Sequence, residues 1–217
     1  MRSDSDIKRD VEAELRYDPD IDATDIAVAV KEGIVTLTGF VRSYAQKRQA
    51  ETDAKRVAGV VGIANNIEVR LPIINRRPDP EIARDVVAGL QTELPYTSDK
   101  IKVTVSEGWV KLEGDLEWHF QRERAEEAAR RVKGVKGVIN SIKLIPRVAP
   151  VEIKQKIEEA LKRNAVLDAK RITVETDGSA VILKGTVKSW TEREEAERAA
   201  WTAPGVTQVE DQIRVAA

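Results

Sequence analysis

The sequence predicts an α+β protein of three tandem α-β-β-α-β units, each a three-stranded mixed sheet with two helices on one face. Three observations lead there. A strand phrase is written three times, as GIVTLTGFV at 33–41, GWVKLEGDL at 108–116 and, worn, as SAVILKGTV at 179–187. Sliding the chain by 75 residues lays the second copy on the first, and a further 71 lays the third on the second. Within each copy the apolar period changes in the same order, from helical to alternating, then helical and alternating again.

Each element follows from its pattern. Ile7, Val11 and Leu15 match Ile82, Val86 and Leu90, then Ile153, Ile157 and Leu161. The spacing i, i+4, i+8 is one apolar stripe of an amphipathic helix. Next, Ile26-Val28-Val30, Ile101-Val103-Val105 and Ile172-Val174-Thr176 alternate as strands. The turns Lys31-Glu32-Gly33, Ser106-Glu107-Gly108 and Asp177-Gly178-Ser179 then join them to the repeated phrase as antiparallel hairpins. Copy three carries its hairpin glycine one place early. Gly39, Gly114 and Gly185 sit where the second strand bends toward the next helix, permitting a bulge, an unusual φ or a close helix backbone. Ala50, Ala54 and Val57, with Ala125, Ala129 and Val132 and with Ala196, Ala200 and Ala203, give a second helix that lies close on the sheet. Gly59, Gly134 and Gly205 end it. A last strand carries Ile67 and Val69, Ile142 and Leu144, Ile213 and Val215.

Strand two, helix two and strand three form a crossover, which should be right-handed with its flanking strands parallel. Lys102, Thr104, Lys111, Glu113 and Lys143 face outward, leaving the other sheet face polar. The expected domains are 1–72, 79–146 and 149–217. Proline-bearing linkers separate them: Leu71 to Pro78, and a shorter one centred on Ile145-Pro146-Arg147-Val148-Ala149-Pro150. Ile73 and Ile74 hint that copies one and two dock on each other.

The totals set outer limits. Of 217 residues, 34% are charged and 4% aromatic, and the net charge is −1, so the chain is no polycation seeking nucleic acid. With no cysteine there are no disulfides, thiolate metal sites or thiol nucleophiles. The N-terminus MRSDSDIKRDVEAEL has no apolar core of a signal peptide, and no apolar run approaches a spanning helix. As it stands the chain reads as soluble and cytoplasmic; a trimmed N-terminus would make it periplasmic.

The GxVxLxG strand, the Gly-Val pairs at 59, 134 and 205, and the closing phrases Ile63-Ala64-Asn65-Asn66-Ile67 and Val138-Ile139-Asn140-Ser141-Ile142 resemble the BON domain (bacterial OsmY and nodulation). The resemblance covers nearly the whole chain, three times in order; copy three departs with Asp211 in place of the asparagine. It implies a non-enzymatic binding module, tied to osmotic or envelope stress, phospholipid surfaces and envelope partners. One branch of the family is a cytoplasmic potassium-binding protein.

No catalytic constellation is present: His119 is the single histidine, and neither a phosphate-cradling nor a dinucleotide-binding glycine motif occurs. No cofactor or metal is expected. Asn65, Asn140 and Asp211 are polar on the apolar parity of the last strand, which calls for a bulge or a side chain bonding its own backbone. Asp18 to Asp25 places carboxylates as a calcium loop does, but Ala23 and Ala29 stand where such a loop needs glycine and glutamate. Given the potassium-binding relatives, a monovalent-cation site on carbonyls of that loop is an alternative.

The leading candidate is in copy two: Trp118, His119, Phe120, Arg122 and Arg124 at the start of its second helix, with Arg130, Arg131, Lys133 and Lys136 further on and Trp109 and Tyr96 in the same copy. Copy two is the one with net positive charge, +2 over residues 75–147. Rings beside cations suit an anionic phospholipid surface; alternatively Trp118 and Phe120 staple the start of the helix against the sheet. Basic residues interleaved with acids argue against nucleic acid. The reading is a stress-linked adaptor contacting phospholipid or an envelope protein. A potassium or osmolyte binder and a protein–protein scaffold or chaperone-like factor are the alternatives.

Overall fold

The computed structural model describes residues 2–145, 153–164 and 167–216. The second linker at 146–150, with the expected start of the third domain at 149, lies outside the described residues. Copy one contains α1 (Asp4–Tyr17), β1 (Ile26–Lys31), β2 (Ile34–Val41), α2 (Tyr44–Arg56) and β3 (Gly62–Val69). Copy two contains α3 (Asp79–Glu93), β4 (Ile101–Ser106), β5 (Trp109–Leu116), α4 (His119–Arg130) and β6 (Gly137–Leu144). Copy three contains α5 (Ile153–Arg163), β7 (Ile172–Asp177), β8 (Ala180–Val187), α6 (Trp190–Trp201) and β9 (Gln208–Val215).

Three three-stranded sheets follow, ordered β1-β2-β3, β4-β5-β6 and β7-β8-β9. β5 lies in the middle, antiparallel to β4 with Val103 opposite Leu112, and parallel to β6 with Leu112 opposite Asn140. In copy three Val174 faces Leu183, and Leu183 faces Asp211. A tight hairpin followed by a helical crossover leaves this order, because the hairpin occupies one edge of the middle strand and the crossover returns to the other. A short 3-10 turn precedes the first strand of each copy, at Ala23–Asp25, Ser98–Lys100 and Ala169–Arg171. The described residues fall into two compact units, one drawn from 1–38, 50–66 and 146–217, the other from 39–49 and 67–145.

The cores are aliphatic. In copy two the stripe Ile82, Val86 and Leu90 is buried, as are Val110, Leu112 and Leu116 of β5, Ile142 of β6, and Ala125, Ala128 and Ala129 of α4. Small residues set the helix spacing: a Cβ added at Gly89 would stand 3.8 Å from the Ala128 Cβ. Copy three repeats the arrangement with Ile157, Leu161, Val181, Leu183, Ala196 and Ala200 in one cluster. Copy one adds a feature its pattern does not announce. Asp53 of α2 is buried with one carboxylate oxygen 3.1 Å from Arg56, where copies two and three have Ala128 and Ala199.

Two carboxylates fasten the first helix to the hairpin. Asp4 accepts from the N–H groups of Glu32 and Gly33 at 2.8 and 2.9 Å, and Asp79 from those of Glu107 and Gly108 at the same distances. Both turn residues have positive φ in these copies, 53° and 74° in the first and 51° and 81° in the second, the mark of a type I′ turn. In copy three Gly178 has φ 55° and Ser179 is not left-handed, so the early glycine marks a change to the type II′ pattern.

The first linker makes a 3-10 turn at Ile73–Asn75. Ile73 and Ile74 are 83% and 89% exposed, so they do not carry the docking expected of them. Among the described residues no helix is long and apolar enough to cross a membrane.

Candidate functional site

The repeated glycines and asparagines hold the fold. Gly114 and Gly185 have φ of 147° and 139°, and a Cβ on either would stand 2.0 Å from the carbonyl oxygen of Lys100 or Arg171. What approaches them is the backbone leading into the neighbouring hairpin strand, and not the following helix as expected. The asparagine ties the last strand to the second helix. Asn140 donates to the Arg122 carbonyl at 3.0 Å and to Glu126 at 3.3 Å, and accepts from the Ile142 N–H at 3.3 Å. Asn65 donates to Glu51 at 3.3 Å. Asp211 accepts from the Ile213 N–H at 2.9 Å and pairs with Arg193 at 2.5 Å. The exchange of amide for carboxylate is therefore met by a guanidinium, since a carboxylate cannot donate to an oxygen.

Two acids of the loop Asp18 to Asp25 bond the loop's own backbone. Asp18 accepts from the Asp20 N–H at 2.8 Å and Asp22 from the Thr24 N–H at 3.3 Å. Among the described residues no group of three or more His, Cys, Asp or Glu is placed to hold a metal.

The residues singled out in copy two divide between the two ends of α4. This helix runs back along the sheet, so its start lies by the end of β5 and its end by the start of β6. Its twelve residues span about 18 Å at 1.5 Å each. At its start, Ser43 and Ser189 cap the corresponding helices, accepting from the N–H groups of Gln46 and Glu192 at 3.2 Å. Gln46 and Glu192 reach back to Arg42 and Lys188 at 3.0 and 2.8 Å. In copy two Gln121 still reaches back to the Trp118 N–H at 3.0 Å, but the serine's place is taken by Trp118. An indole only donates. Copy two thus forgoes a cap that contributes ~1 kcal/mol.

Trp118 is half-buried, and His119 is held 3.5 Å from Glu123. Phe120 is 50% exposed with the Arg124 guanidinium 5.5 Å from its ring centre, so Phe120 does not staple the helix. Tyr96, 92% exposed, is in the loop before β4, at this same end because Ile101 pairs with Gly114.

The cations gather at the other end. Arg130 is bound to Glu126 and Glu127 at 3.1 and 2.9 Å, and Arg131 to Glu127 at 2.9 Å. Lys133 and Lys136 are exposed, and neither is ion-paired among the described residues. Trp109 joins them: its ring lies across Gly137 on the outer face of the sheet, 50% exposed. A cleft of about 680 Å³ opens beside Lys136, lined also by Arg70, Arg76, Arg77, Asp79 and Glu107.

The family model of the BON domain matches residues 3–70, 78–146 and 151–217. This chain belongs to the BON family. It is 35% identical over 144 residues to osmotically-inducible protein Y of Escherichia coli (strain K12), an alignment covering 64% of this chain and 72% of that protein. Among solved structures, CdsD of the type III secretion system of Chlamydia trachomatis aligns over 97% of this chain and 92% of its own at 13% identity, with a TM-score of 0.27. The periplasmic domain of PrgH from S. typhimurium aligns over 89% and 96% at 12%, with a TM-score of 0.24. Likenesses this loose bear on neither fold nor function.

Across the three BON domains the glycines and the closing Asn or Asp serve the scaffold. What sets the second domain apart from the other two lies toward its surface. The second domain alone replaces its capping serine by tryptophan and carries half-exposed aromatics at both ends of its second helix. Comparing Trp118 with Ser43 and Ser189 in the aligned copies is the sequence signal that finds it.

Proposed function

We propose that this BON protein is a non-enzymatic binding protein of the osmotic-stress response that contacts anionic phospholipid at membrane surfaces through its second domain. Trp118 carries the reading. A helix cap used in both sister domains is given up for an indole, next to a half-exposed Phe120 and its partner Arg124. Aromatic rings sit well at the level of lipid headgroups, and guanidinium groups pair with phosphates. Local rules broken at one place in a repeated fold mark function more often than stability.

Flotation with liposomes tests this. The chain is expected to float with anionic and not zwitterionic vesicles, less so at higher salt. Trp118→Ser with Phe120→Ala, which restores the serine cap and so retains the fold, should weaken flotation at least about tenfold, the equivalent of 1.4 kcal/mol. No flotation under any condition would discard lipid contact and favour a protein partner.

A further inference from the structure

We infer that the linker between BON domains one and two is a membrane anchor: Ile73 and Ile74 enter the bilayer interface while Arg76 and Lys136 hold an anionic phospholipid headgroup in the cleft beside them. The inference rests on the reading that the chain contacts anionic bilayers, and it adds a site at the opposite end of α4 from Phe120.

The linker reads LPIINRRP from 71 to 78. Its two isoleucines are adjacent and among the most exposed large apolar residues described, at 83% and 89%. They do not dangle. The Asn75 N–H donates to the Pro72 carbonyl at 2.9 Å and the Arg76 N–H to the Ile73 carbonyl at 3.1 Å. The Arg76 Nε donates to the Leu71 carbonyl at 3.3 Å, closing the turn from behind. Pro72 and Pro78 fix φ on either side. The apolar tip is therefore presented ready-formed, and little ordering entropy opposes its burial.

Charge complementarity selects the occupant. Arg76 and Lys136 line the cleft without an ion pair among the described residues. Arg70 and Arg77 line it too, the first paired with Glu68 at 2.8 Å and the second with Glu81 at 3.4 Å. Of the two acids present, Asp79 is taken up by the N–H groups of Glu107 and Gly108. Four cations against two acids, in a cleft lined by Leu71 and Arg76 on either side of the apolar turn, match a bilayer surface, with phosphates above acyl chains, and do not match an apolar protein groove.

The cysteine-free chain permits a clean test. Ile74→Cys is labelled with an environment-sensitive dye such as NBD, and its emission is read against anionic and zwitterionic vesicles alongside flotation. The expected result is a blue shift with anionic vesicles that survives in the Trp118→Ser, Phe120→Ala background and is lost on Arg76→Glu with Lys136→Glu. Flotation of the parent chain without any shift at position 74 would overturn the anchor and leave lipid contact standing. Absence of both would overturn the two together. A shift that grows with protein concentration without vesicles would give the isoleucines to a second copy of the chain and overturn the anchor. An equal shift with zwitterionic vesicles would overturn the headgroup site.

Discussion

Gly178 and Gly185 occupy one hairpin of one domain and have positive φ, 55° and 139°, yet they are asked for different things. Around Gly178 an added Cβ meets nothing within 4 Å, so alanine there bears only the cost of a left-handed φ, about 1 kcal/mol. At Gly185 the same Cβ falls 2.0 Å from the Arg171 carbonyl oxygen, and strand β7 must move. We expect Gly185→Ala to cost at least about 3 kcal/mol. Hydrogen exchange of the β7 and β8 amides reads both variants locally, which matters in a chain of several domains. Equal losses would show that close backbone approach is not what fixes the glycine of the GxVxLxG phrase.

The tie between last strand and second helix is an element-scale device, and copy three shows how it tolerates change. Arg193 and Asp211, with side chains 24% and 12% exposed, meet at 2.5 Å where copy two joins Asn140 to the Arg122 carbonyl. Arg193→Ala strands a mostly buried carboxylate and should cost on the order of 1–3 kcal/mol, whereas Arg193→Ala with Asp211→Asn should recover most of it, the sign of a coupled pair. Urea midpoints of the single and double variants measure both, and no recovery in the double variant would place the loss in packing instead. Element order and sheet membership were legible because period 2 and period 3.6 are written three times over. The Asn65, Asn140 and Asp211 positions were legible as polar residues on an apolar parity, but not their helical partners, which lie 14 or 18 positions back across the crossover. Ile73 and Ile74 hint at docking by their apolar character yet are exposed, because identity alone does not reveal whether anything covers a side chain. The candidate patch was misread as one cluster, since Phe120 and Lys133 are near in sequence yet lie toward opposite ends of a helix.

At the scale of the whole molecule, domains one and three meet within one compact unit. The Lys55 ammonium of α2 lies 3.4 Å from Glu51 on its own helix, 3.3 Å from Glu194 of α6 and 5.3 Å from the centre of the Trp190 ring. Trp190 also has the Arg193 guanidinium 4.9 Å away, so two cations from two domains share one indole. Lys55 is 22% exposed and Glu194 50%, so solvent screens the ion pair and its share is no more than about 0.5–1 kcal/mol, with the ring adding a similar amount. A double-mutant cycle of Lys55→Ala and Glu194→Ala, read from the unfolding midpoint of domain three, should give a coupling near 0.5 kcal/mol that shrinks in 1 M salt, where the screening length is about 3 Å. Trp190→Ala should remove a further part that salt does not touch. A coupling of zero would leave domains one and three energetically independent despite the contact. A coupling of the expected size makes the parts of domains one and three within that unit a weakly latched body, with a latch that salt loosens through the Lys55–Glu194 pair and leaves standing through the Trp190 ring.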